Sequence, residues 1–91
     1  MSIAIYIGIK EEEERGFFEN KGTIIQHSGR TYLLRDVYSS VQMKRNRTIA
    51  ERFVAELRPC SPGPTQLPAP EAVKRRVEAA FDRNDFVMLP V

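Results

Sequence analysis

The sequence predicts an α+β domain: a mainly antiparallel sheet of four or five strands with two amphipathic helices joined by a proline-rich spacer. Three observations predict it. Ile3, Ile5, Ile7 and Ile9 alternate with smaller or polar residues, a period of two that marks a strand. Two short apolar runs, Thr23-Ile24-Ile25 and Thr31-Tyr32-Leu33-Leu34, flank a Ser28-Gly29 turn. Two segments with apolar residues at helical spacing then stand on either side of a proline-dense stretch. A small partly closed barrel with appended helices is the alternative, since the hairpin is apolar on both faces.

In chain order, residues 1–43 are mostly strands. The first is central and lies beside the hairpin, because both its faces are largely apolar. Lys10 and Glu11, Glu12, Glu13 and Glu14 read as a solvated charged loop that blunts a sheet edge. Phe17 and Phe18 are adjacent, and in a strand they point to opposite sides, so either both sides are covered there or one ring is exposed; core packing is the expectation, and an aromatic anchor for a partner the alternative. Within residues 22–37 a two-residue turn would force Ser28 to positive φ, which a Cβ resists. A three-residue His27-Ser28-Gly29 loop follows, with Ile24, Tyr32 and Leu34 on one face and Ile25 and Leu33 on the other. Tyr38, Val41 and Met43 continue the alternation as a fourth strand.

Residues 48–58 read as a helix. Thr48 and Glu51 have capping-box spacing, and Ile49, Phe53, Val54 and Leu57 share a helical face. Residues 59–70 hold all but one of the six prolines and read as an extended spacer. Residues 71–84 form the second helix, with Val73, Val77, Ala80 and Phe81 on its inner side and Glu71/Arg75 and Lys74/Glu78 paired outside. Residues 85–91 read as a terminal strand.

Ninety-one residues make a single small domain with a thin core. At 42% hydrophobic and 29% charged, the composition is that of a globular chain rather than a disordered one. One cysteine excludes an internal disulfide, and one histidine with one cysteine cannot build a zinc site of the common type. The first residues lack the positive start of a signal peptide, and their apolar run is too short to cross a bilayer, so the expected setting is cytoplasmic, without a membrane partner.

No nucleophile and base, paired carboxylates in a cleft, or glycine-rich phosphate loop can be read from spacing, so neither catalysis nor a cofactor is expected. The net charge is only +2, but residues 1–40 carry −1 and the remainder +3. Lys44, Arg45 and Arg47, with Arg52 beyond them, precede or enter the first predicted helix, where the macrodipole disfavours cations. Free helix amides and those cations together would hold a phosphate.

The leading expectation is a non-enzymatic regulatory or accessory binding protein, an adaptor or inhibitor acting by protein contact through Glu11, Glu12, Glu13, Glu14, Phe17 and Phe18. Its partner is either an unidentified protein or, through a strand edge, a second copy. The alternative is a nucleic-acid-binding protein that grips backbone phosphates with Lys44, Arg45, Arg47 and Arg52.

Overall fold

The computed structural model describes residues 2–8, 11–45 and 47–90, without the side chains of 11–13, 40–44 and 47–51. The chain is a small α+β domain with one open, five-stranded antiparallel sheet and two helices. The elements run β1 (Ile3–Gly8), α1 (Glu11–Glu19), β2 (Ile24–His27), β3 (Arg30–Lys44), β4 (Arg47–Pro59), α2 (Glu71–Asp82) and β5 (Phe86–Met88). Across the sheet the order is β2-β3-β4-β1-β5. The strand β1 is thus interior, but β4 separates it from the β2–β3 hairpin. Ile9, assigned to this strand from the sequence, lies outside the described residues.

Both helices pack on one sheet face. Ile3, Ile5 and Ile7 of β1, Ala55 and Leu57 of β4, and Ile25, Tyr32, Leu34 and Val37 of β2 and β3 form a single cluster there with Phe17 of α1 and Val73, Val77 and Ala80 of α2. The expected covering of both faces is therefore corrected to one.

The β2–β3 turn departs from the sequence reading. It is a two-residue turn with Ser28 at φ 50° and Gly29 at φ 75°, closed by the pair His27↔Arg30. Ile24 then faces Leu33, and Ile25 faces Tyr32. Holding Ser28 in the left-handed region costs about 1 kcal/mol. The register it fixes sends Ile25, Tyr32 and Leu34 together into the core, and at ~1.5–3 kcal/mol for each buried large side chain that outweighs the turn.

Two element assignments are also corrected. Residues 11–19 form α1, neither a charged loop nor a strand. Glutamate is a good helix former, and acidic residues in the first turn oppose the positive end of the macrodipole. Asn20 closes the helix by donating from its side-chain nitrogen to the Gly16 carbonyl at 2.6 Å.

Residues 47–59 form β4 where a helix over 48–58 was expected, and the fourth strand expected at residues 38–43 is the continuation of β3. In β4 the alternation is Phe53, Ala55 and Leu57 towards the helices and Val54 and Glu56 away from them. Its apolar residues fit either period. Pairing on both flanks decides, since β4 bonds β3 from Tyr32↔Pro59 to Lys44↔Arg47 and bonds β1 from Ile3↔Leu57 to Gly8↔Phe53. As a helix, this segment would leave β1 with only the three residues of β5 beside it.

Residues 67–69 run along the outer edge of β2. The Ile24 amide donates to the Leu67 carbonyl and the Ala69 amide to the Ile24 carbonyl, each at 2.8 Å. Pro68 sits between them, where its missing N–H would have pointed away from the sheet. That edge is covered, whereas β5 ends the sheet with Val87 and Met88 exposed.

Candidate nucleic-acid interface

Beyond the pair Ser39↔Phe53, β3 and β4 continue together with no third strand among the described residues bonded to either. This two-stranded ribbon ends where Lys44 pairs with Arg47, with Arg45 exposed at φ 51° in the turn. The domain measures 48 × 28 × 21 Å, elongated to this degree by the ribbon. At ~3.4 Å per residue the turn stands about 20 Å beyond the row where β1 leaves the sheet.

The ribbon gathers Lys44, Arg45 and Arg47 at one turn, without a helix N-terminus. The helix-amide phosphate grip expected from the sequence is therefore absent, and the capping box of Thr48 and Glu51 with it. Arg52 is separate, at the root of the ribbon, opposite Ser40. The side chains of Lys44 and Arg47 lie outside the described residues, as do those of Glu11, Glu12 and Glu13. Glu14 is half-buried on α1. Phe17 is core, 2% exposed, and Phe18 is 56% exposed with the Lys21 ammonium 4.6 Å from its ring centre.

Reasoning from sequence missed the sheet face that the helices leave uncovered. Register places Tyr38, Val54 and Tyr6 in one row across β3, β4 and β1. Val54 and its diagonal neighbour Ala4 are buried yet lie outside the helix-side core, covered by the larger side chains around them. The Arg52 guanidinium lies 5.0 Å from the centre of the Tyr6 ring.

One row further from the ribbon stand Asp36, Glu56, Ala4 and Val87. Its carboxylates are each matched: Glu56 to Arg35 at 3.7 Å and Asp36 to Lys21 at 3.6 Å. Asp85 meets Arg52 at 3.8 Å and Arg83 at 3.5 Å. With Arg58 exposed opposite Leu33, the cations around this face outnumber the carboxylates.

Two grooves border the tyrosine row. The one at the ribbon root, about 240 Å³, is lined by Tyr6, Arg52, Arg76, Arg83 and Asp85, with Arg76 donating to the Ile7 carbonyl. The other, about 560 Å³ at the far end of the sheet, is lined by Arg35, Glu56 and Arg58 together with Ser2 and Leu89. Among the described residues no group of three or more His, Cys, Asp and Glu side chains could hold a metal ion. His27, read as an exposed turn residue, instead stacks on Phe81 of α2 with ring centres 4.6 Å apart and planes 7° from parallel.

The Tyr38 hydroxyl is held above its ordinary value of 10.0, first by partial burial and then by the Glu56 and Asp36 carboxylates and the Tyr6 phenol. A raised acid pKa means that the fold disfavours the phenolate. Its contribution to stability is complete below about pH 10 and is lost as pH rises through the raised folded value. Urea midpoints measured from pH 8 to 11 are expected to fall more steeply above pH 10 for the wild type than for Tyr38→Phe. Parallel curves would contradict this placement of Tyr38.

Comparisons with family models, curated proteins and solved structures found no match for this chain. No helix among the described residues is long and apolar enough to cross a membrane.

Proposed function

We propose that the protein is a non-enzymatic nucleic-acid-binding protein whose β3–β4 ribbon carries a basic turn to backbone phosphates. One observation carries this reading: Lys44, Arg45 and Arg47 fall at the unsupported end of a two-stranded ribbon. An isolated two-stranded hairpin is marginal in water, so a ribbon of this length in a small domain is better explained by something it grips than by folding. Cations at its turn reach phosphates without having to read bases.

The test is binding of labelled single- and double-stranded oligonucleotides across a salt series, with the wild type and the Lys44→Ala/Arg45→Ala/Arg47→Ala variant. The triple variant is expected to weaken binding and to flatten the slope of log K against log salt by about 2 to 3, since each lost phosphate contact removes about 0.7 to 0.9. Absence of binding at low salt, or an unchanged slope, contradicts the reading.

Protein contact is the second reading, favoured by a different observation. The outer edge of β5 has no strand beside it among the described residues and displays Val87 and Met88, the features that strand addition uses. A second copy joined edge to edge would give a two-fold dimer. Sedimentation velocity should then show a dimer that Val87→Lys dissociates; a wild-type monomer at all concentrations contradicts it.

A further inference from the structure

We propose that the uncovered face of the sheet binds single-stranded nucleic acid, its unpaired bases stacking on Tyr6 and Tyr38. The inference rests on the nucleic-acid reading above and names the strand state of the ligand. Neighbouring strands are ~4.8 Å apart, so two rings in one row, two strands apart, are offset by about 10 Å. Val54 between them is buried beneath its neighbours, so the two rings themselves form the surface of the row, with the Arg52 guanidinium beside Tyr6.

Stacking of this kind is indifferent to base identity, because every base has a π face. It is closed to duplex, whose bases present only their edges in the grooves. The chemistry around the row fits the rest of a nucleotide. Arg52 lies against Tyr6 at the ribbon root and shares a groove with Arg83, while Arg35 and Arg58 line the groove at the other end.

A single strand running along β4 therefore meets Arg52, then the row with one ring to either side of Val54, then the Glu56 and Asp36 carboxylates, then Arg35 and Arg58. Its phosphates fall to the arginines and its bases to the tyrosines. The Glu56 and Asp36 carboxylates, one row beyond the rings, are acceptors for base N–H groups and repel phosphate, which favours bases inward. The basic turn of the ribbon lies on the same path, ~20 Å further on, and extends the phosphate track.

The protein reports on its own platform. It has three tyrosines and no tryptophan, and Tyr32 is buried on the helix side, so Tyr6 and Tyr38 dominate any fluorescence change caused by stacking. The probes are oligodeoxythymidine and oligouridine of about 12 nucleotides and a mixed-sequence duplex of the same length. Single strands are expected to quench tyrosine emission and to bind about tenfold or more tighter than duplex.

Tyr6→Leu and Tyr38→Leu should each weaken single-strand binding by about tenfold, whereas Tyr6→Phe and Tyr38→Phe, which keep the ring, should stay within about twofold. Equal affinity for duplex, an unquenched signal, or folded Tyr→Leu variants that bind like the wild type would overturn the proposal. Binding that is lost only in the Lys44/Arg45/Arg47 triple variant leaves the phosphate reading standing and sinks the stacking face. Quenching that survives in that variant does the reverse.

Discussion

Ile25→Asp is expected to unfold the domain, and Leu33→Asp, in the adjoining strand, to leave it folded with a loss of no more than about 1 kcal/mol. Ile25 is 1% exposed and lies in the cluster with Tyr32, Leu34 and Val77. The substitution removes its burial, worth ~1.5–3 kcal/mol, and places a carboxylate among apolar groups at a further cost of several kcal/mol. A chain of this length has only about 5–14 kcal/mol in total. Leu33 is on the uncovered face, directly opposite Arg58, so an aspartate there gains a cross-strand ion pair that offsets part of the lost packing. Circular dichroism with urea melts of both variants decides the point. Similar losses in the two would mean that the hairpin register is wrong, because the turn at Ser28-Gly29 is what assigns the two residues to opposite faces.

Phe17→Ala and Phe18→Ala should differ almost as widely. Phe17 is the one residue among the described side chains of α1 that enters the core. Truncating a buried phenylalanine costs about 3–5 kcal/mol, and here it also frees the helix from the sheet. Phe18 is on the outer side of α1 against Lys21, where the same change is worth about 0.5 kcal/mol or less. A thermal melt that drops sharply for Phe17→Ala and barely moves for Phe18→Ala supports this arrangement. Equal drops would place Phe18 against a surface that the described fold does not contain.

The segments legible from sequence were those whose period and surroundings agree. Ile3, Ile5 and Ile7 allow only one pattern, and β1 follows from it. The Ile24-Ile25 and Tyr32-Leu34 runs located β2 and the start of β3, although their register turned on a serine accepting a left-handed conformation that its Cβ opposes. Two elements were hidden for opposite reasons. The helix α1 has a single apolar anchor, Phe17, and a run of glutamates that carries no period at all. The strand β4 has too much pattern: Phe53, Val54 and Leu57 satisfy a helical stripe, and Ala, Glu and Arg favour helix locally. Only the two flanking ladders, supplied by residues distant in the chain, settle it.

The same division governs the candidate site. Lys44, Arg45 and Arg47 are adjacent, so their clustering could be read directly, although its setting was wrong: a ribbon turn stands where a helix start was expected. The row of Tyr6, Val54 and Tyr38 joins residues nearly fifty positions apart, and it depends on the register of β4 against both neighbours, including the shift between Leu34 and Asp36. The alternation of β1 does put Tyr6 opposite the isoleucine face, and that was the one signal available. Nothing local shows that Tyr38 shares the row.

Nucleic acid is proposed to meet the ribbon and the uncovered sheet face, away from the helices. The most direct measurement is a ¹⁵N-amide NMR titration of the wild type with a short single-stranded oligonucleotide. The amides of Tyr6, Tyr38, Arg52 and the 44–47 turn are expected to shift together and saturably, while those of Val73, Val77 and Ala80 on α2 stay in place. Shifts confined to the helices, or none at low salt, would contradict it.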